Sequence, residues 1–218
     1  MKRRPLPVAA ALAATAALLL TACGSGDDKS RDNDKIAGAD QGDPAQSTSP
    51  SPSAATAADR PRVELPSDVK DVYEEWETGD QAKDAVLADA ARRIDVTNDA
   101  ILRGDTDALG LTFYYKDKAL ADAVEWVQAY LDANLSFTGT TRYYAPQVTV
   151  SGEQSATLVY CADESKGFNK NRKTGKVDRT PSDESPYVMY NTRLEKSKQG
   201  VWQTTNLISK RGDKTCAG

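Results

Sequence analysis

What this chain can do chemically is bounded by its sulfur, its acids and one absence. It carries three cysteines, Cys23, Cys161 and Cys216, and no histidine. Without an imidazole there is no hydrolase arrangement built on a histidine base, and no His-ligated metal. Cys161 and Cys216 could be a disulfide, a buried pair of free thiols or part of a metal site. With no third cysteine nearby, zinc has too few ligands, and no metal or cofactor is expected. Outside the cytoplasm the two cysteines are expected to bond. Asp95 and Asp99, four apart on a predicted helix, could do general acid/base work if burial raised one of them. Like charges at that spacing commonly share a solvated face, and no catalytic residue is assigned. Tyr144, Tyr160, Tyr190 and Trp202 fall at inward positions of predicted strands. Aromatic bodies with one polar tip suit a half-wet pocket for a small apolar ligand, and they serve a plain core equally well.

Other motifs carry less. Lys166, Lys170, Arg172, Lys173, Lys176 and Arg179 form a basic run, followed by Asp183 and Glu184. It is read as an exposed hairpin extension kept soluble by charge, with a finger toward anionic headgroups or cell-wall polymer as the functional alternative. GFNKNRKTGK lacks phosphate-loop spacing, because Lys170 stands where the first glycine belongs and Val177 where a hydroxyl is needed. DNDKIAGAD puts Ile36 at a position where a calcium loop needs an oxygen ligand. Arg211, Gly212 and Asp213 spell an adhesion tripeptide, read as coincidence in a tail pinned by Cys216.

Cys23 has a different setting. Lys2, Arg3 and Arg4 precede an apolar run from Val8 to Leu20, and Gly24, Ser25, Gly26, Asp27 and Asp28 follow the cysteine. This is a charged n-region, an apolar h-region and a cleavage zone. The run is short for a membrane span, which needs about 20 residues, and no positive stop-transfer charge follows it. Leu20, Thr21, Ala22 and Cys23 resemble the lipobox of bacterial lipoproteins, in which the peptidase cuts before a cysteine carrying a diacylglycerol. Two acyl chains hold a protein stably where one does so only marginally. An ordinary signal peptide with an incidental cysteine is the alternative. Removing residues 1–22 takes away three positive charges and no negative ones, so a net charge of −4 becomes −7. An acidic surface argues against nucleic-acid binding.

The elements that must position these residues follow from composition and period. From Gly24 to about Pro61 the only large apolar residue is Ile36 and no aromatic occurs, so the segment cannot offset its ordering entropy and reads as a tether. Residues 66–77 are left open between a short helix and an extended lead-in. Asp80 then caps a helix whose apolar positions are Ala82, Val86, Ala90, Ile94, Thr97 and Ile101, ending at Gly104. A second helix spans about Asp117 to Asn134, with Asp117 as cap and Leu120, Val124, Val127 and Leu131 as its stripe. After Gly139 the period becomes two. Tyr144, Val148 and Val150 share a face of one strand, Leu158 and Tyr160 of a second, Val188, Tyr190 and Leu194 of a third, and Trp202 and Ile208 of a fourth. Ser151–Glu153 and Lys198–Gly200 are hairpin-length links. The expected fold class is α+β: N-terminal helices packed on a curved antiparallel sheet, one face buried. The expected organisation is a signal peptide over 1–22, lipidated Cys23 with a tether over 23–64, and a single domain over 65–218.

TGDQAKDAVLADA at 78–90, LTFYY at 111–115, YYAPQVTV at 143–150 and VWQTTNLIS at 201–209 resemble a family of small bacterial secreted lipoproteins of unknown function. The order of elements resembles the nuclear transport factor 2-like (SnoaL-like) cone fold. That resemblance implies a sheet wrapped around helices with a pocket between them. It leaves function open, since the fold hosts isomerases, hydrolases, dehydratases and non-catalytic modules. None of the acid/base positions of its enzymes is matched here. The expectation is a non-catalytic binding module, anchored by lipid to the outer face of the cell membrane, for a small apolar ligand or a cell-envelope partner. A small pocket enzyme is the alternative, and oligomeric state is not readable.

Overall fold

The computed structural model describes residues 60–179 and 183–217. The signal peptide, Cys23 and the tether as far as residue 59 lie outside the described residues. The segment left open at 66–77 is a strand, β1 (Val69–Tyr73). After it comes α1 (Gln81–Arg103), bounded as its caps predict. The Asp80 carboxylate accepts from the amides of Ala82 at 2.9 Å and Lys83 at 3.2 Å, an arrangement that contributes about 1 kcal/mol. Gly104 closes the helix at φ 75°, a left-handed conformation that costs glycine little.

The LTFYY motif overlaps an element the periodicity did not show, the short helix α2 (Leu109–Tyr114). α3 (Asp117–Asp132) follows, with its buried face one position from the expected one. Ala119, Ala123 and Val127 are buried, while Leu120 and Val124 are half-buried. Small side chains let α3 come close to α2 and the end of α1, and the larger residues flank that seam. Asp117 is the first helical residue and makes no cap; Lys116 precedes it with no side-chain cap bond.

The sheet comprises β1, β2 (Leu135–Ser151), β3 (Ser155–Asn171), β4 (Tyr187–Lys196) and β5 (Trp202–Arg211), in spatial order β1-β2-β3-β4-β5. The four long strands are antiparallel neighbours, but β1 runs parallel to β2, with Val69 opposite Gly139. The sheet is therefore mixed rather than purely antiparallel. Gly139 is required where β2 is squeezed between β1 and β3: its φ is 103°, and an added Cβ would lie 2.1 Å from the Lys166 carbonyl oxygen.

Of three register shifts in the sheet, two move side chains from the faces expected of them. In β2, Tyr144 faces Cys161 while Gln147 faces Val159, so β2 spends one residue more than β3 across that step. Ala145 there has φ 50°. This bulge flips the alternation. Val148 and Val150 face inward as expected, but the tyrosine sharing their face is Tyr143, 7 % exposed, and not Tyr144. In β5 an extra residue at Thr205 does the same between Thr204 and Asn206. Trp202 and Thr204 are buried, Leu207 returns inward, and Ile208, expected inside, is 59 % exposed on the outer face.

The main core joins the first half of α1 to the inner face of the sheet: Val86, Leu87, Ala90 and Ile94 against Ala156, Leu158, Tyr160, Leu194 and Trp202. Each large side chain buried there contributes about 1.5–3 kcal/mol. Asp89, 2 % exposed, ties the two layers by accepting from the Trp202 amide at 2.9 Å and pairing with Arg60 and Arg92. The first part of the expected basic loop at 166–179 is strand, because β3 continues to Asn171, and a turn follows it. Arg172 donates to the carbonyls of Leu135 at 2.8 Å and Leu102 at 3.2 Å, so it holds the end of α1 rather than reaching into solvent. No described helix is long and apolar enough to cross a membrane.

Candidate functional site

The first half of α1 is sealed against the sheet, but its second half stands off. Between that half, α3 and the inner face of the sheet lies a half-open cavity of about 1180 Å³. Its aromatic surface is contributed by Trp126 and Tyr130 of α3, Phe137 and Tyr143 of β2, Tyr160 of β3 and Tyr190 of β4. Tyr160 and Tyr190 stack with centroids 4.9 Å apart, and Tyr130 meets Phe137 edge-on at 6.3 Å. Burial pushes the hydroxyls of Tyr143, Tyr160 and Tyr190 above the ordinary phenol range, so all three stay protonated. A second depression, about 560 Å³, lies at the hairpin ends near Ser151 and Glu195 and is shallow and polar.

One charged side chain lines the cavity from within the core. Arg93 is 4 % exposed. Its Nη1 donates to the Tyr115 hydroxyl at 3.2 Å and its Nη2 to the Tyr160 hydroxyl at 2.7 Å. Thr97 spends its hydroxyl proton on the Arg93 carbonyl at 2.8 Å, so the Tyr115 hydroxyl, 2.8 Å away, donates to Thr97 and accepts from Arg93. Arg93 Nε has no hydrogen-bond partner among the described residues. The guanidinium is held in its charged form although burial opposes it, because the two phenols beside it favour the cation.

Behind the cavity wall stands a pair of acids. Asn98, which lines the cavity, donates through Nδ2 to Asp71 at 2.7 Å. Asp71 is pushed up to about 7, first by burial and then by the charge of Asp95, with the Asn98 bond acting the other way. Asp95 is raised as well, by burial, while hydrogen bonds from Tyr73 at 2.7 Å and from Asp71 draw it down. The two carboxyls thus share a proton held on Asp71; neither lies on the cavity lining, which Asp71 meets through its bond from Asn98. The i, i+4 pair of the sequence reading is divided: Asp95 turns to Asp71 and Tyr73, while Asp99 is paired with Arg103 at 2.6 Å.

The structure separates the four aromatics singled out by pattern. Tyr160 and Tyr190 line the cavity. Trp202 lies in the sealed core, 3 % exposed. Tyr144 is on the outer face, where the Arg142 guanidinium lies 4.2 Å from its ring and its hydroxyl donates to the Cys216 carbonyl. Cys161 and Cys216 are bonded, with Cα atoms 5.5 Å apart, pinning the C-terminal segment over that outer face. Among the described residues no group of three or more acids and cysteines is arranged to hold a metal. Pattern reading missed Arg93, Tyr115, Asn98 and Tyr143. For Arg93 a signal existed: it falls on the line Val86, Ala90, Thr97 of α1, a charge among inward positions.

No family model matches the chain, and no curated protein matches it. Solved structures similar to it include a ketosteroid isomerase-like protein from Erwinia carotovora atroseptica SCRI1043, at TM-score 0.42 and 18% identity, covering 59% of this chain and 95% of that one. Another is the intermembrane space region of the chloroplast protein ARC6, at TM-score 0.35 and 15% identity, covering 57% of this chain and 91% of that one.

Proposed function

We propose that this protein is a binding module tethered through Cys23 to the outer face of the cell membrane, with a cavity that receives a small, largely apolar ligand. The observation that carries the ligand part is the aromatic surface facing about 1180 Å³ of open space. A fold that needed these side chains only for packing would close on them, since interiors are packed to crystal-like density. Concave sites with aromatic walls and convergent polar groups are a usual form of small-molecule site, and this lining carries both. The export part is supported by the n-region, h-region and LTAC sequence and by the Cys161–Cys216 bond, which belongs to an oxidising compartment. The chain from Cys23 to the first strand serves as a spacer between bilayer and cavity.

One observation favours a second reading, a small pocket enzyme using acid/base chemistry: Asp71 sits at about 7, where a carboxyl can both give and take a proton. Its separation from the cavity by Asn98 favours binding over catalysis. Native mass spectrometry of the mature full-length protein, released from membranes of the cells that make it, tests the proposal. It is expected to show a diacylated N-terminal cysteine and a retained small molecule. A mature chain without acyl mass refutes the anchor; a chain that arrives empty and takes up no apolar probe refutes the cavity reading.

A further inference from the structure

Among the described residues Arg93 has no carboxylate partner. Five other arginines do: Arg60 and Arg92 share Asp89, Arg103 has Asp99, Arg142 has Glu74 and Asp163, and Arg211 has Glu164 and Glu184. Arg172 spends its charge on backbone carbonyls. Arg93 is the most deeply placed cationic group lining the cavity, and its bonded partners are two neutral phenols. A guanidinium does not deprotonate in proteins, and burying its charge without an anion is unfavourable. Phenol oxygens and ring faces, at 5.6 and 5.9 Å from the guanidinium carbon, offset part of that cost.

Donors are also left over. Of the guanidinium N–H groups only two are used, and Nε is among those without an acceptor. Tyr160 accepts from Arg93, and its own proton goes to no acceptor in the described residues. A buried cation, spare N–H groups and a spare O–H at one end of an aromatic cavity form a receptor for a planar or tetrahedral oxyanion.

We infer that the ligand of this cavity is an amphiphilic monoanion, an apolar or aromatic body with one carboxylate or sulfonate group, whose oxygens are received by Arg93 and the Tyr160 hydroxyl. The ring surfaces of Tyr190, Phe137 and Trp126 take the body, and Asn98 stands within the same cavity as a neutral polar contact. The lining also carries Asp122, Glu164, Asp178 and Glu184; Asp122 is paired with Lys118 at 2.6 Å, and Glu164 and Glu184 share Arg211 at 2.7 and 3.6 Å, which reduces their repulsion of an entering anion. This inference rests on the cavity reading above and adds the charge of the ligand.

The test compares anilinonaphthalenesulfonate with its neutral parent, N-phenylnaphthylamine, which lacks only the sulfonate. Both are titrated by fluorescence into the full-length chain carrying Cys23→Ser, so that no acyl chain competes. Arg93→Met is expected to weaken the sulfonate about tenfold or more, the factor that about 1.4 kcal/mol carries, while changing the neutral probe by less than about threefold. Arg93→Lys is expected to retain part of the sulfonate affinity. Should Arg93→Met lose its near-ultraviolet dichroism and fail to fold, Tyr160→Phe decides: it removes the hydroxyl and keeps the ring, and a loss confined to the sulfonate supports the inference. Equal losses for both probes, or a sulfonate affinity indifferent to these changes, overturn it and leave the cavity standing. If the unsubstituted protein binds the neutral probe and not the sulfonate, the inference alone falls. If it binds neither, the cavity reading falls and takes the inference with it.

Discussion

Replacing Asp71 with asparagine reads out the buried acid pair through stability. The folded protein holds Asp71 at about 7 against an ordinary 3.8, chiefly because the site is desolvated. Between about pH 4 and about pH 7 the native state therefore keeps a proton that the unfolded chain releases, and stability falls as the pH rises through that window. At about 1.4 kcal/mol per pH unit, the whole loss is roughly 4 kcal/mol by about pH 8. Asparagine preserves the oxygen that accepts from Asn98 and places an N–H where the shared proton faced Asp95. It carries no charge to desolvate. Asp71→Asn is expected to match the parent near about pH 4 and to exceed it near about pH 8 by up to that amount, a rise in melting temperature of roughly 10 °C for a chain of this size. Thermal melts of both proteins across that range supply the comparison. Two curves that stay parallel at every pH, or a variant weaker than the parent at the alkaline end, would refute the account of this pair.

Further expectations follow from the fold. Replacing Cys161 and Cys216 together by alanine opens a loop with a sequence separation of 55 and is expected to cost about 4 kcal/mol in the chain-entropy account, measured as a lowered urea midpoint. Gly139→Ala places a methyl against the Lys166 carbonyl at a φ that alanine resists; a loss of more than about 2 kcal/mol, or failure to accumulate soluble protein, is expected. Ile208→Ser and Trp202→Ala test the β5 bulge. The first lies on the outer face and should stay within about 0.5 kcal/mol, while the second opens the core at about 3–5 kcal/mol. Comparable losses from both would mean that they share a face.

Legibility in the sequence varied with how local the cause was. Asp80 and Gly104 bound α1 through contacts within a few residues, and both ends were readable. The hairpins at Gly152 and Gly200 are local in the same way. The bulges are not. Nothing in WQTTNLIS breaks the two-residue alternation, and in YYAPQVTV the one signal is Pro146, a residue that strands confine to edges and bulges; where the extra residue falls shows itself only when β3 and β4 supply the register. For that reason Tyr144 and Ile208 were expected inside and stand outside, while Tyr143 took the inner place. β1 escaped assignment because a five-residue strand with a parallel partner 70 residues away carries little period of its own. α2 is too short for a stripe to declare itself. Of the site, the two tyrosines on regular strand segments, Tyr160 and Tyr190, were legible. Arg93 was visible as a charge on an apolar stripe, but its unpaired state is a tertiary fact: it depends on which acids the fold brings near and which it sends to Arg60, Arg103 and Arg211.

The central claim is that the space between α1, α3 and the sheet is a ligand site, and amide NMR spectra recorded while N-phenylnaphthylamine is added test it most directly. The account predicts saturable shifts gathered on Thr97, Asn98, Ala123, Thr141 and Leu207, all on the cavity lining, with Thr149, Gln154 and Lys196 unmoved. Shifts that scatter over the outer face, or a spectrum that does not change when the probe is in excess, would contradict it.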